Sequence, residues 1–137
     1  MEQVQDVMTK DVQIVVESTK LSLAAQKMRD HDCGFLVVGD GQQIVGCVTD
    51  RDMVIRGMAR ELNPREHRVS DVMTRNVVTC EGHTKIVDAV RRMVNEKIQR
   101  LVVTDAKSNP IGIVSLSNLA HRRDLDDETL DVLRAVS

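Results

Sequence analysis

The sequence is almost devoid of aromatic side chains: Phe35 is the single Phe, and Tyr and Trp are absent. Without flat rings on which bases could stack, a platform for single-stranded nucleic acid is excluded. The core must instead come from Val, Ile, Leu, Met and Ala. A dominant charge is also missing: 19 Lys and Arg against 21 Asp and Glu leave a net charge of −2. No polyanion-seeking surface follows from that balance, so no nucleic-acid partner is expected. Cysteine is scarce, and Cys33, Cys47 and Cys80 are odd in number with no CxxC spacing. They read as three reduced core thiols. His31, His67, His83 and His121 show no ligand spacing with them, so no metal site is expected. No run approaches the roughly 18 apolar residues of a membrane span, and MEQVQDVMTK at the start has no apolar signal core. The expectation is a cytoplasmic protein with no membrane partner.

What the sequence does contain is a repeat. VQDVMTK at 4–10 recurs as VSDVMTR at 69–75, an offset of 65 residues. At the same offset Thr19 and Lys20 match Thr84 and Lys85, Ala24 matches Ala89, and Met28 matches Met93. Leu36, Val37 and Val38 match Leu101, Val102 and Val103, and Asp40 matches Asp105. After a one-residue difference in a turn, GCVT at 46–49 matches GIVS at 112–115. Two copies are too few for a solenoid, so a pair sharing a core is the economical solution.

Both copies carry the same local signals. A short lead-in segment precedes an apolar stretch, Val12–Val16 or Val77–Cys80, read as a strand. Helical spacing follows in Leu21, Ala24, Ala25 and Met28, and again in Ile86, Ala89, Val90, Met93 and Val94. The β-branched runs Phe35–Val38 and Leu101–Val103 come next. Turn residues at 39–41 and 105–110 then join them to Ile44–Val48 and Ile111–Val114 as hairpin partners. A second helix closes each copy, near 50–61 and 116–123. The expected fold is α/β (α+β): two βαββα motifs packed as a pseudo-two-fold pair, plus a C-terminal helix. Boundaries fall at 4–62, a linker at 63–68, 69–123, and a helix within 124–137 carrying Leu130, Leu133 and Val136 as an apolar stripe.

The strand-to-helix junction at Thr49 holds the most specific chemistry. Thr49 is a good N-cap and Asp52 stands three positions on. Amides at a helix start attract phosphate, the Thr49 hydroxyl can donate to it, and a carboxylate suits vicinal ribose hydroxyls. The same Thr-x-x-Asp pattern is close to a capping box, which needs no ligand. Both readings stand on the residues alone.

The doubled lead-in, the Leu-Val-Val strands and the two glycine-led junctions together resemble the tandem cystathionine-β-synthase (CBS) domain, or Bateman module. The resemblance covers about residues 4–123. TDRD at 49–52 followed by MVIRG at 53–57 is similar to small stand-alone bacterial CBS-pair proteins. It implies a non-catalytic regulatory module that binds an AMP-, ADP- or ATP-like adenosine nucleotide and needs no cofactor. It also implies one ligand site drawn from both copies: Thr49, Asp50, Arg51 and Asp52 with Val78, Thr79, Ile98, Gln99 and Arg100. Val78 and Ile98 would sandwich the adenine and Arg100 would meet the phosphate. A second, weaker site would use Gln13, Ile14, Cys33, Gly34, Ser115 and Asn118, with an amide where the first has its carboxylate.

Other features read as structural. Arg91, Arg92, Arg122 and Arg123 look like solvated helix faces, His83 like a turn residue, and the recurring Met8, Met73, Met28 and Met93 like core. No nucleophile–base spacing suggests an enzyme. The expected partners are an adenine nucleotide, a second copy of the chain in a homodimer that buries the C-terminal stripe, and an unknown effector protein. The competing reading is a dimeric stress-response or interaction protein of the same fold with vestigial sites.

Overall fold

Strand β1 (Ile14–Val15) leads through helix α1 (Leu21–Asp30) to a parallel neighbour, β2 (Phe35–Gly39), which turns back antiparallel into β3 (Ile44–Thr49). The second repeat follows the same path: β4 (Thr79–Glu81), α3 (Ile86–Glu96), β5 (Arg100–Thr104) and β6 (Pro110–Ser115). The computed structural model describes residues 3–122 and 124–136. Two three-stranded sheets result, each with the repeat's Leu-Val-Val strand in the centre. Those central residues are 0–1% exposed, which is why both runs are continuously apolar rather than alternating. Equivalent aspartates fix the two hairpin turns. Asp40 Oδ1 accepts from the amides of Gln42 and Gln43 at 2.9 and 2.8 Å, and Asp105 Oδ1 accepts from Lys107 and Asn109 at 2.9 Å each.

The lead-in segments do not pack on the repeats they begin. Val69–Thr74 lies on the first repeat: Val69 N donates to Thr19 O at 2.8 Å, Ser70 N to Glu17 O at 3.1 Å, and Thr74 and Cys47 exchange two backbone bonds of 2.9 Å. Val4–Thr9 makes the matching bonds on the second repeat, with Thr84 O at 2.9 Å, Gly82 O at 3.0 Å, and Ile113 in a reciprocal pair at 2.9 Å. Two compact units follow, Val12–Val77 and the remainder, offset from the sequence repeats by this exchange. Each has its own apolar cluster, one around Leu36, Val48, Val69 and Val72, the other around Val4, Met93, Leu101 and Leu119. The stretch between repeats is also built in: Pro64 O and His67 O accept from the first amides of α1, Ser22 N at 2.9 Å and Leu21 N at 3.0 Å.

The second helices differ from the long ones expected. Helix α2 is only Asp50–Asp52, continued by a π-turn at Met53–Gly57 and a 3-10 turn at Met58–Arg60, while α4 is Leu116–Ala120. Helix α5 (Asp127–Arg134) folds back on α3, burying Leu133 and packing Leu130 on the core, with Arg91 paired to Glu128 at 2.9 Å. Leu130 and Leu133 of its apolar stripe are therefore used within the chain, whereas Val136 is exposed. This explains an asymmetry between the helices. Val90 and Val94 of α3 belong to the cluster that α5 joins through Leu130 and Leu133, whereas α1 has Ala25 and Arg29 at the matching positions. Ala25, expected in the core, is exposed for that reason. The three thiols are free and half-buried rather than fully enclosed. Arg123, read above as a solvated helix residue, lies outside the described residues.

Candidate functional site

At the end of β3, Thr49 and Asp52 form a complete capping box. Asp52 N donates to Thr49 Oγ1 and Thr49 N donates to Asp52 Oδ2, both at 3.0 Å. The next amides are also committed: Asp50 N donates to Gly34 O at 3.0 Å, and Arg51 N to Asp50 Oδ1 at 2.8 Å. Gly34 is needed there, since a β-carbon on it would lie 2.6 Å from an Asp50 carboxylate oxygen. Four consecutive amides thus have protein acceptors, and two carboxylates occupy the turn. The amides on which the phosphate expectation rests therefore already have protein acceptors, beside two carboxylates. What the box leaves is the Thr49 hydroxyl proton and Asp52 Oδ1, a donor and an acceptor suited to hydroxyl groups.

Arg56, which the sequence reading passed over, faces that acceptor. The π-turn carries its guanidinium to 4.0 Å from Asp52 Oδ1, while Nη1 donates to Val72 O, Met73 O and Thr74 Oγ1 at 3.1–3.2 Å. The signal available in the sequence was its i+4 spacing from Asp52.

The second junction is simpler. Asn118 N donates to Ser115 Oγ at 3.2 Å, with Ser117 Oγ 3.4 Å away, and the cap is one-way. Ser115 is buried and Asn118 exposed.

The expected site residues divide between the units. Gln13, Ile14, Cys33 and Gly34 share the Val12–Val77 unit with Thr49–Asp52, whereas Val78, Thr79, Ile98, Gln99 and Arg100 share the other unit with Ser115 and Asn118. Inside the first, Gln13 O holds β2 through Val37 N at 2.9 Å, and a cavity of about 500 Å³ is lined by Met28, Cys33, Gly34, Asp50 and Met53. Inside the second, Val78 O holds β5 through Val102 N at 3.2 Å, Thr79 is in register with Val102, and Arg100 pairs across with Ser115. Gln99 O accepts from Leu116 N at 3.0 Å, the counterpart of Gly34 and Asp50. Here a cavity of about 380 Å³ is lined by Met93, Ile98, Gln99, Leu116 and, from α5's end, Leu133 and Val136. A third, more polar hollow of about 520 Å³ lies by Cys80, His83, Asp88 and Arg92. Burial pushes the Cys80 thiol above its ordinary value, so it is no ready thiolate. His83 sits in a turn, 3.3 Å from Glu81.

Comparison with known proteins matches the CBS domain to residues 4–57 and again to 69–124. The uncharacterized Bacillus subtilis protein YlbB is 32% identical over 139 aligned positions, covering 100% of this chain and 93% of YlbB. Hypoxic response protein 1 of Mycobacterium tuberculosis is 31% identical, covering 84% of this chain and 80% of its own length. The CBS domain pair of protein MJ0100, solved with 5′-methylthioadenosine and S-adenosyl-L-methionine, shares the fold at a TM-score of 0.75 and 22% identity. That alignment covers 85% of this chain and 95% of the MJ0100 chain.

Proposed function

The chain belongs to the CBS-domain family, and on that premise we propose that it is a non-catalytic regulatory module that binds an adenosine-containing ligand and signals to a partner protein. The observation that carries the reading is Asp52, whose Oδ2 serves the cap while Oδ1 remains to accept from ribose hydroxyls. The adenosyl ligands of the MJ0100 pair support the adenosine half of the assignment. Val78, Thr79, Ile98, Gln99 and Arg100 belong to the same proposal: aliphatic carbon for the base, and Arg100, exposed at the start of β5, for a phosphate where the ligand has one. AMP, ADP, ATP and unphosphorylated adenosyl compounds all fall within it. The Asn118 junction is the weaker site. Cytoplasmic action as a homodimer completes the reading, and the exposed apolar side chains Leu23, Val54, Ile55 and Met58 support the dimer.

One observation favours a second reading, an interaction protein with vestigial sites: the Thr49–Asp52 box is complete without a ligand. A dye-monitored thermal shift with AMP, ADP, ATP, S-adenosylmethionine and 5′-methylthioadenosine decides between them. A ligand at a hundred times its Kd adds about 2.7 kcal/mol, a rise of several degrees for a domain of this size. No shift from any of the five at millimolar concentration selects the vestigial reading.

A further inference from the structure

We infer that Arg56 is a positioning residue that ties the Asp52 carboxylate to the lead-in segment Val72–Thr74, so that the state of the junction is transmitted to that segment. Val72 is the C-cap of the 3-10 turn Val69–Asp71 and Met73 follows it, both buried. Arg56 Nη1 serves both, at 3.1 and 3.2 Å, and adds Thr74 Oγ1 at 3.2 Å. Thr74 is then locked to β3 by its two bonds with Cys47, two residues before Thr49. The loop is closed: Asp52 faces Arg56, Arg56 holds Val72–Thr74, and Thr74 holds the strand that ends in the Thr49–Asp52 box. Arg56 lies in the π-turn Met53–Gly57 and from there reaches both the carboxylate and the segment. In the second repeat Asn118 stands where Asp52 does, and the counterpart Arg122 binds Asp124 through two nitrogens. The carboxylate–guanidinium pair at this spacing thus belongs to the first junction, which is also the one proposed to take the ribose. The transmission to ligand rests on that proposal; the tie itself does not.

Amide hydrogen exchange tests both parts, with the β2 amides of Leu36 and Val38 as a gauge of global opening. In the unliganded protein, Arg56→Ala should speed exchange at Cys47 and Thr74 about tenfold relative to that gauge, the size of a charge-assisted bond. Asp52→Asn, which keeps an acceptor for the cap, should speed it about twofold. In wild type, whichever of AMP, ADP, ATP, S-adenosylmethionine and 5′-methylthioadenosine binds should, at saturation, change exchange at the same two amides, and that response should vanish in Arg56→Ala. Unaltered Cys47 and Thr74 exchange in either unliganded variant overturns the tie. Binding that leaves these amides unmoved in wild type overturns the transmission while the ligand reading stands. If none of the five compounds binds, the ligand reading falls, the transmission to ligand falls with it, and the unliganded variants alone decide the tie.

Discussion

The α-carbon of Gly46 and the carbonyl oxygen of Thr74 lie so close that a β-carbon on Gly46 would stand 2.7 Å from that oxygen. This contact is what allows the lead-in of the second repeat to pair with Cys47. The matching Gly112 is crowded by the Met8 side chain rather than by backbone. Gly46→Ala should therefore cost about 1–3 kcal/mol, as overpacking does. Gly112→Ala should cost less, because a methionine side chain can swing aside. Chemical denaturation of the two variants checks the order; equal losses would show that the backbone oxygen is not the deciding neighbour.

Asp52 has two duties, and substitutions separate them. Asp52→Ala should lose the reciprocal half of the capping box, the bond from Thr49 N, at a cost of about 1 kcal/mol or less, together with ligand binding. Asp52→Asn should fold with little loss, since an amide oxygen can still accept from Thr49 N, yet bind adenosine compounds about tenfold more weakly. Asn118→Ala should change affinity far less, and Asn118→Asp should strengthen the second junction. Calorimetric titration beside circular dichroism measures both effects. Matching affinity losses in Asp52→Asn and Asn118→Ala would refute the ranking of the junctions.

Helix α5 should loosen in acid. Asp126 caps it by accepting from Thr129 N at 2.8 Å, and the hydrogen bonds from Thr129 hold its carboxyl below the ordinary value. A carboxyl depressed on folding contributes stability that is complete above its unfolded value, near about 3.9, and is lost as pH falls through the folded one. The turn residues Asp40 and Asp105 are depressed likewise by backbone amides of Gln43 and Asn109. Asp126→Asn keeps a cap that does not titrate. Its melting temperature should fall less steeply than that of wild type below about pH 4.

Removing the anchor of α5 should be costly. Leu133 is 7% exposed and belongs to the cluster of Val90 and Met93. Leu133→Ala should destabilise by about 2–3 kcal/mol. It should also uncover Val90 and Val94 of α3, giving dye binding and self-association at temperatures where wild type has neither. Light scattering and dye fluorescence together test this; a variant that melts lower without new dye binding would mean α5 stays in place.

Sequence alone determined the repeat, the order of strands and helices, the turn aspartates Asp40 and Asp105, and both readings of Thr49 and Asp52. Each of those rests on local chemistry: side-chain periodicity, the hydrogen bonds an aspartate makes to its own turn, the reach of a cap over three residues. The tertiary structure decided which repeat each lead-in segment joins, that α5 covers α3, that the junction's amides already have acceptors, and that Arg56 stands against Asp52. Those depend on groups distant along the chain, Gly34 O on Asp50 N and Arg56 on carbonyls 16 and 17 residues away. A residue's type carries no record of which distant backbone atom will lie within hydrogen-bond reach of it; only packing the apolar faces brings those atoms together.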